Sequence, residues 1–300
     1  MKIWVSGSLA YDIILDYPGK FADHIKLGKA HVLSLSFLVK SVKKSVGGTA
    51  GNIAYSLAML GVKSEILGAV GKDGREIINK YSRLGVSVKG IKISKLPTAA
   101  AYIMTDNADN QIAGFHPGAM MEKATMPVVK NTDLAIITAD NPENMVKLAR
   151  HYRQKKVRYI IDPGQTITAL SKSQIQECVT GAMIVAANDY EISYVTKYVK
   201  PKSTIVKTLG PKGSEIIYPN GKKIKIGIAK AKAVDPTGAG DAYRAGLICG
   251  IIKGLELKRA AQLGATAAAF AVEKYGTQNH RFNYGIIMRR HNRNFKEKIQ

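Results

Sequence analysis

Apolar runs of strand length alternate with amphipathic helical runs along most of this chain, and that alternation leaves few folds open. Strand-like runs fall at residues 3–6, 66–70, 134–138, 157–161, 183–187 and 204–208. Between them, Ile53, Leu57 and Leu60 recur at helical spacing over 51–60, with Gly61 just beyond. Ile77, Tyr81 and Leu84 do the same over 76–84, stopped by Gly85. Asn141 and Pro142 form a cap and first-turn pair for a helix whose apolar face is Met145, Leu148, Ala149 and Tyr152. Long apolar helices read at 242–252 and 258–272, and residues 216–226 read as a hairpin around Asn220-Gly221. A strand whose helix leads back to another strand demands parallel pairing. The chain is therefore read as α/β, with helices on both faces of a mainly parallel sheet.

Two segments break the alternation. Residues 11–37 include Leu33-Ser34-Leu35-Ser36-Phe37, an alternating strand pattern, and residues 97–115 include Ala101-Tyr102-Ile103-Met104. The sequence predicts that both pair into a small sheet over one end of the large one. Ligands bind at the carboxyl ends of strands in such sheets, so the small sheet is read as a lid. The expected division is a core of residues 1–12, 42–94 and 120–300 and a lid of residues 13–41 and 95–119.

Composition narrows the function. Three hundred residues, 46% of them hydrophobic, can bury one large core, and no run of 18 apolar residues offers a membrane span. Met1 to Ser6 enter a strand with no signal-peptide form, which points to the cytoplasm. Cys178 and Cys249 match no metal spacing and read as buried thiols. The formal charge of +23 raises nucleic-acid binding. However, the Lys and Arg residues are scattered, without aromatic interleaving, and only the stretch Arg289-Arg290-His291-Asn292-Arg293 is dense. Small anionic substrates, or a source with basic proteins generally, explain the charge equally well, and neither nucleic acid nor membrane is an expected partner.

The chemistry concentrates in turns after core strands. Gly7-Ser8 with Asp12, Asp162-Pro163-Gly164-Gln165, Asn188-Asp189-Tyr190-Glu191 and Thr208-Leu209-Gly210-Pro211-Lys212-Gly213 fall there, and Asp235-Pro236-Thr237-Gly238-Ala239-Gly240-Asp241 follows. Each alone is an ordinary loop composition. The last opens an apolar helix, whose unpaired N–H groups attract phosphate. Asp241 is an odd carboxylate at an anion site unless it takes a proton from a hydroxyl attacking that phosphate. Arg244, three residues on, reads as a phosphate contact or a surface ion pair. Gly47-Gly48-Thr49-Ala50-Gly51-Asn52 is a second glycine turn opening a helix, read either as a ligand contact or as a structural turn. No phosphate loop of the Gly-x-x-x-x-Gly-Lys type is present, and Gly238-Ala239-Gly240 lacks the third glycine of a dinucleotide fingerprint.

The turn Gly47-Gly48-x-x-Gly51-Asn52 and the string from Asp235 to Gly246 are similar to the two signatures of the ribokinase-like (PfkB) carbohydrate kinases. Gly68-Ala69-Val70-Gly71-Lys72-Asp73-Gly74 and Asn188-x-x-Glu191 resemble two further motifs of that family, in the same order. Within it, Gly7-Ser8-x-x-x-Asp12, Ser34 to Val39, Phe115 to Met120, Thr208 to Gly213 and Gly276-Thr277-Gln278 are most similar to the bacterial adenosine kinases. The resemblance implies a three-layer ribokinase-like core with a small β lid. It also implies ATP- and Mg2+-dependent phosphorylation of the ribose 5′-hydroxyl of adenosine, giving AMP in purine salvage. A ribokinase, another sugar kinase and a broad-specificity nucleoside kinase are the alternatives.

Carried over by motif, the resemblance makes Asp241 the general base and the N–H groups of Gly238, Ala239 and Gly240 the anion hole. Asp12, Gly48 and Asn52 would hold the ribose hydroxyls. Ser8, Ser36 and Gln165 would reach the nucleoside, and Phe115 or Tyr102 would stack on the base. Asn188 and Glu191 would organise Mg2+ and its waters, and Thr208, Gly210 and Gly213 would line the ATP site. A monovalent cation such as K+ beside the Asp235 turn is a further implication. So is a homodimer paired through the lid, for which an exposed face on Leu33, Leu35 and Phe37 would be the physical reason.

Overall fold

The computed structural model describes residues 1–25, 34–108 and 110–296. Its centre is the apolar strand β1 (Ile3–Ser6), buried along its whole length. Ile3 and Val5 point into one hydrophobic cluster and Trp4 into another, so the strand is covered on both faces. Parallel partners flank it: β4 (Ser64–Gly71) on one side and β8 (Leu134–Ile137) on the other. The sheet continues past β4 to β5 (Ser87–Ser94). Past β8 it continues through β9 (Arg158–Ile161), β10 (Ile184–Asn188) and β11 (Thr204–Thr208). Only the hairpin β12 (Ser214–Ile217) and β13 (Lys223–Ile226) is antiparallel.

Helices α1 (Thr49–Met59), α2 (Arg75–Arg83), α6 (Ala239–Ile252), α7 (Leu257–Val272) and α8 (Tyr284–Phe295) contribute to the cluster on one face. On the other, α3 (Pro142–Gln154), α4 (Lys172–Val179) and α5 (Asp189–Tyr198) contribute to the second. This is the predicted α/β layering. The two cysteines are free and buried.

The chain builds outward from β1 in one direction through β4 and β5, then returns to build the other side from β8. The carboxyl ends of β1 and β8 therefore part at a topological switch point, where such sheets bind ligands. The Ser8 N–H donates to the Ala139 carbonyl across that junction at 3.0 Å.

From Ser8 the chain climbs into a second, four-stranded sheet. Its order is β3 (Ser41–Gly47), β2 (Ala10–Asp16), β6 (Ala99–Thr105) and β7 (Gln111–His116). Its third segment differs from the sequence expectation. Residues 34–39 form no strand, Leu33 lies outside the described residues, and residues 42–47, expected in the core, pair with β2 instead. Phe37 leaves the alternating pattern because a better burial is at hand. Its ring meets Tyr17 at 4.8 Å and Phe21 at 5.4 Å, edge on. It is therefore no part of an exposed pairing face.

Helices α6 and α7 approach each other closely through glycines. A Cβ on Gly246 would stand 2.7 Å from both the Gly264 Cα and the Leu263 carbonyl oxygen. Only small residues permit that approach, and backbone cannot yield as a side chain can. Gly246→Ala is expected to lower stability by about 1–3 kcal/mol. Gly227→Ala, where nothing lies within 4 Å of the added carbon, is expected to stay within about 0.5 kcal/mol. Urea unfolding midpoints of the two variants check this.

Candidate active site

Two helices start beside the switch point, and their first turns face each other. Gly238 caps α6 in the left-handed conformation, with φ of +78°. The turn before it is stapled by Asp235, whose carboxylate oxygens accept the Thr237 and Gly276 N–H groups, each at 2.8 Å. Burial pushes the Asp235 carboxyl up, but these hydrogen bonds outweigh it and hold it below the ordinary range. On the other side, Gly48 caps α1 with φ of +89°. Its backbone is pressed against the carbonyl of Ser8 and the amide of Ala10, so no side chain fits there.

Asn52, one turn into α1, donates its Nδ2 to Asp241 Oδ2 at 2.8 Å, joining the two helices at their open ends. Loss of solvation pushes the Asp241 carboxyl up to about 7. The Asn52 hydrogen bond and Arg244 oppose the rise, and the nearby charges of Asp162 and Asp12 add to it. Asp12, on β2 above the same point, is lifted to about 6 by burial. Its carboxylate makes no hydrogen bond or ion pair among the described residues, whereas Asp241 has one.

Beneath Asp241 lies a buried ion pair. Arg244 Nε stands 2.7 Å from Asp162 Oδ2, and both side chains are about 5% exposed. Arg244 is thus not a surface ion pair. Its guanidinium fills the space beside Gly240, where a Cβ would stand 2.7 Å from Nη1.

Residues 7–282 match the family described as pfkB family carbohydrate kinase. The chain belongs to that family. A nucleoside kinase of Methanocaldococcus jannaschii is 35% identical over 262 residues, spanning 82% of this chain and 85% of its own. The solved nucleoside kinase of Burkholderia thailandensis in complex with ADP-inosine superposes with a TM-score of 0.83 at 31% identity. That match covers 99% of this chain and 97% of the other. A ribokinase of Haemophilus influenzae is 23% identical over 278 residues, 83% of this chain and 90% of its own. The chain is accordingly a kinase of the ribokinase fold, with both nucleoside-kinase and ribokinase relatives.

The fold of this PfkB kinase gathers Asp241, Asn52, Gly48 and Asp12 around one point. The other candidates are placed less uniformly. The Ser8 hydroxyl accepts the Thr49 N–H at 3.1 Å and lies 3.2 Å from the Thr49 hydroxyl, so it steadies the start of α1. Ser36 is exposed on the irregular stretch before β3, and Gln165 is exposed in the turn after β9. Asn188 and Glu191 form a reciprocal capping box on α5. The Ala239 N–H turns back to the Pro236 carbonyl at 3.2 Å, while those of Gly238 and Gly240 have no partner among the described residues. Thr208, Gly210 and Gly213 line the turn from β11 to β12, with Gly210 open to solvent.

Sheet register separates the two aromatic candidates. Asp12 sits beside Ala101, and Ala101 beside Phe115, so the three share a face. Tyr102 pairs with Ile13 and Gly114 on the opposite face. Phe115, 45% exposed, is the aromatic ring on the face of Asp12, and Tyr102 is not.

Sequence reading missed two buried groups near this rim. Asp140, at the end of β8, is lifted to about 7 by burial, against hydrogen bonds from Asn141 and Asn144. Asp162 was visible only as part of an Asp-Pro-Gly turn, and Arg244 was read without its partner.

A carboxyl raised to about 7 in the folded chain favours the protonated native state. Stability contributed by that site therefore falls as pH rises from about 4, the unfolded value, to about 7. Asp241→Asn removes the penalty. At pH 8 the variant is expected to be more stable than the parent by about 1–3 kcal/mol, allowing for solvent screening, with the difference vanishing towards pH 4. Thermal unfolding of both proteins across that range measures it.

Proposed function

We propose that this kinase transfers the γ-phosphoryl group of ATP to the 5′-hydroxyl of a nucleoside, with adenosine as the leading substrate and AMP and ADP as products. The observation that carries the reading is the Asn52–Asp241 hydrogen bond. It sets a carboxylate of raised pKa at the mouth of a helix N-terminus, under the small sheet. In the reaction, Asp241 takes the proton of the 5′-hydroxyl as that oxygen bonds to the γ-phosphorus. The bond from phosphorus to the β,γ-bridging oxygen breaks, and ADP leaves with the electron pair. The unpaired N–H groups of Gly238 and Gly240 face the charge that gathers on the transferring group. Asp12, Gly48 and Asn52 hold the sugar, and the ATP phosphates extend towards Thr208, Gly210 and Gly213.

Mg2+ accompanies ATP in this reading and neutralises phosphate charge. No group of three or more His, Cys, Asp or Glu residues that could hold a metal ion occurs among the described residues. That suits an ion bound chiefly by phosphates and water, with Glu191 steadying its waters from the start of α5. K+ would act beside Asp235. A pair of copies would meet through the edge strand β7, whose residues are all exposed. Among the described residues no helix is long and apolar enough to cross a membrane. A cytoplasmic enzyme of purine salvage is the setting that fits this activity.

Phe115 on the face of Asp12 supports a nucleoside over a free sugar, because a ring there has a flat base to stack on. The nucleoside-kinase relatives point the same way, and they fit a broad-specificity enzyme as well as an adenosine-specific one.

ADP release from Mg-ATP with adenosine, inosine, guanosine, ribose and fructose 6-phosphate tests the substrate. Nucleoside turnover far above the sugars is expected, and turnover on sugars alone would overturn the reading. Asp241→Asn is expected to lose roughly two to four orders of magnitude in rate while still binding ATP. For the parent enzyme, kcat/KM should climb through pH about 7 as Asp241 ionises. Phe115→Ala is expected to raise KM for nucleosides roughly tenfold and leave KM for ribose unchanged.

A further inference from the structure

Behind Asn52 the hydrogen-bond chain runs on into the core. Gln278, in the segment between α7 and α8, donates its Nε2 to Asn52 Oδ1 at 2.8 Å and to the Tyr81 hydroxyl at 2.9 Å. Tyr81 comes from α2 and is fully buried, and Gln278 is 7% exposed. The direction of the chain is dictated from its outer end. An ionised carboxylate only accepts, so Asn52 must turn its Nδ2 to Asp241. Its Oδ1 then faces inward, and Gln278 must meet it with an N–H.

A free asparagine amide has a second orientation, flipped by 180°, that would set Oδ1 against the carboxylate. Gln278 closes off that orientation, because its two N–H groups are held by two fixed acceptors. Its own Oε1 is buried without a partner. A cost of that kind would vanish with an apolar side chain, so packing alone does not explain a glutamine here.

We propose that Gln278 is a positioning residue for phosphoryl transfer. It locks the Asn52 amide as a donor to Asp241, which keeps the carboxylate ionised and fixed in the free enzyme. This rests on Asp241 being the base. The charged and titratable groups around Asp241 are Asp12 from β2, Asp162 after β9, Tyr81 from α2 and Arg244 from its own helix. Of these only Tyr81 touches Gln278, and burial raises its hydroxyl far above the working range, so it stays neutral when that contact is lost.

Gln278→Met keeps the length of the side chain and removes the donors. With adenosine and Mg-ATP, the acid limb of kcat/KM against pH is expected to move up by about one unit, since kcat/KM reports the free enzyme. At pH 6 the variant then loses roughly tenfold against the parent, while at pH 8.5 the two agree within about twofold. A merely structural role would scale the whole profile and leave its midpoint in place, and that result overturns the proposal. If Gln278→Met does not fold, Tyr81→Phe frees one of the two Gln278 donors and is expected to shift the limb the same way by less. An unmoved limb there also overturns it.

A carbon-13 NMR titration of the Asp241 carboxyl in the ligand-free protein reads the same shift without turnover. It separates the two ideas. Full activity in Asp241→Asn would remove the base reading, whereas an unshifted Asp241 titration in a folded Gln278 variant removes only the role of Gln278.

Discussion

The buried pair of Asp162 and Arg244 is the contact on which the rest of the rim depends. It ties the loop after β9 to the first turns of α6. Two charges are taken out of water there, and their attraction offsets that loss only while both are present. Removing one partner of such a pair typically costs about 3–5 kcal/mol. The Arg244 charge is further matched by Glu191 and Asp241, which hold its guanidinium protonated against burial. Because Arg244 is three residues beyond Asp241 on one helix, the two lie on the same side of α6. Anchoring the arginine under the sheet rim therefore fixes where the carboxylate points. Gly240 is the matching concession in sequence, since any larger residue would collide with the guanidinium.

The same cluster accounts for the chemistry of the carboxylate. Asp12, Asp162 and Asp241 converge on a region with one buried guanidinium and one amide donor, so the last proton is held tightly. A base with an ordinary aspartate pKa would be a weaker acceptor for a hydroxyl proton. One raised without limit would never ionise. Arg244 and Asn52 pull against the desolvation and leave Asp241 near neutrality. In the proposed reaction, activity and stability are in opposition at this residue, because the environment that would suit the carboxyl to act as a base is one in which its ionised form destabilises the fold.

Sequence periodicity made most of the core legible. The strand centres and the helices α1, α2, α3, α6 and α7 follow from apolar spacing, and Asn141 caps α3 as its residue type suggests, accepting the Glu143 N–H at 2.9 Å. The helices α4 and α8 escaped because their apolar faces are short and interleaved with polar side chains. The strand β5 escaped because two lysines and a glycine interrupt its apolar run. Ser34 to Phe37 misled for a different reason. Alternation states only that side chains differ in burial, and an aromatic cluster can satisfy that as well as a strand can. In the site, Gly48 was legible since its positive φ demands a glycine, and Asp241 and Asn52 since each follows a glycine turn that opens a helix. Arg244 and Gln278 were not, because what defines them is a partner far away in sequence: Asp162 for one, Asn52 and Tyr81 for the other.

Register decides what the small sheet can do, and composition does not. A strand sends successive side chains to opposite faces, so a one-residue slip between β2 and β6 would exchange Ala101 for Tyr102 beside Asp12. The observed pairing instead sets the small Ala101 between Asp12 and Phe115. That leaves a carboxylate and an aromatic ring two strands apart, about 10 Å at the usual strand spacing, with a low surface between them. A sugar hydroxyl at one end and a planar base at the other match those two groups. Tyr102 faces the side of the sheet that carries Tyr11 and Ile13. Close by, the backbone at Gly48 presses on Ser8 and Ala10 and admits no side chain. The glycine that opens the helix bearing Asn52 therefore also meets the first residue of the strand bearing Asp12.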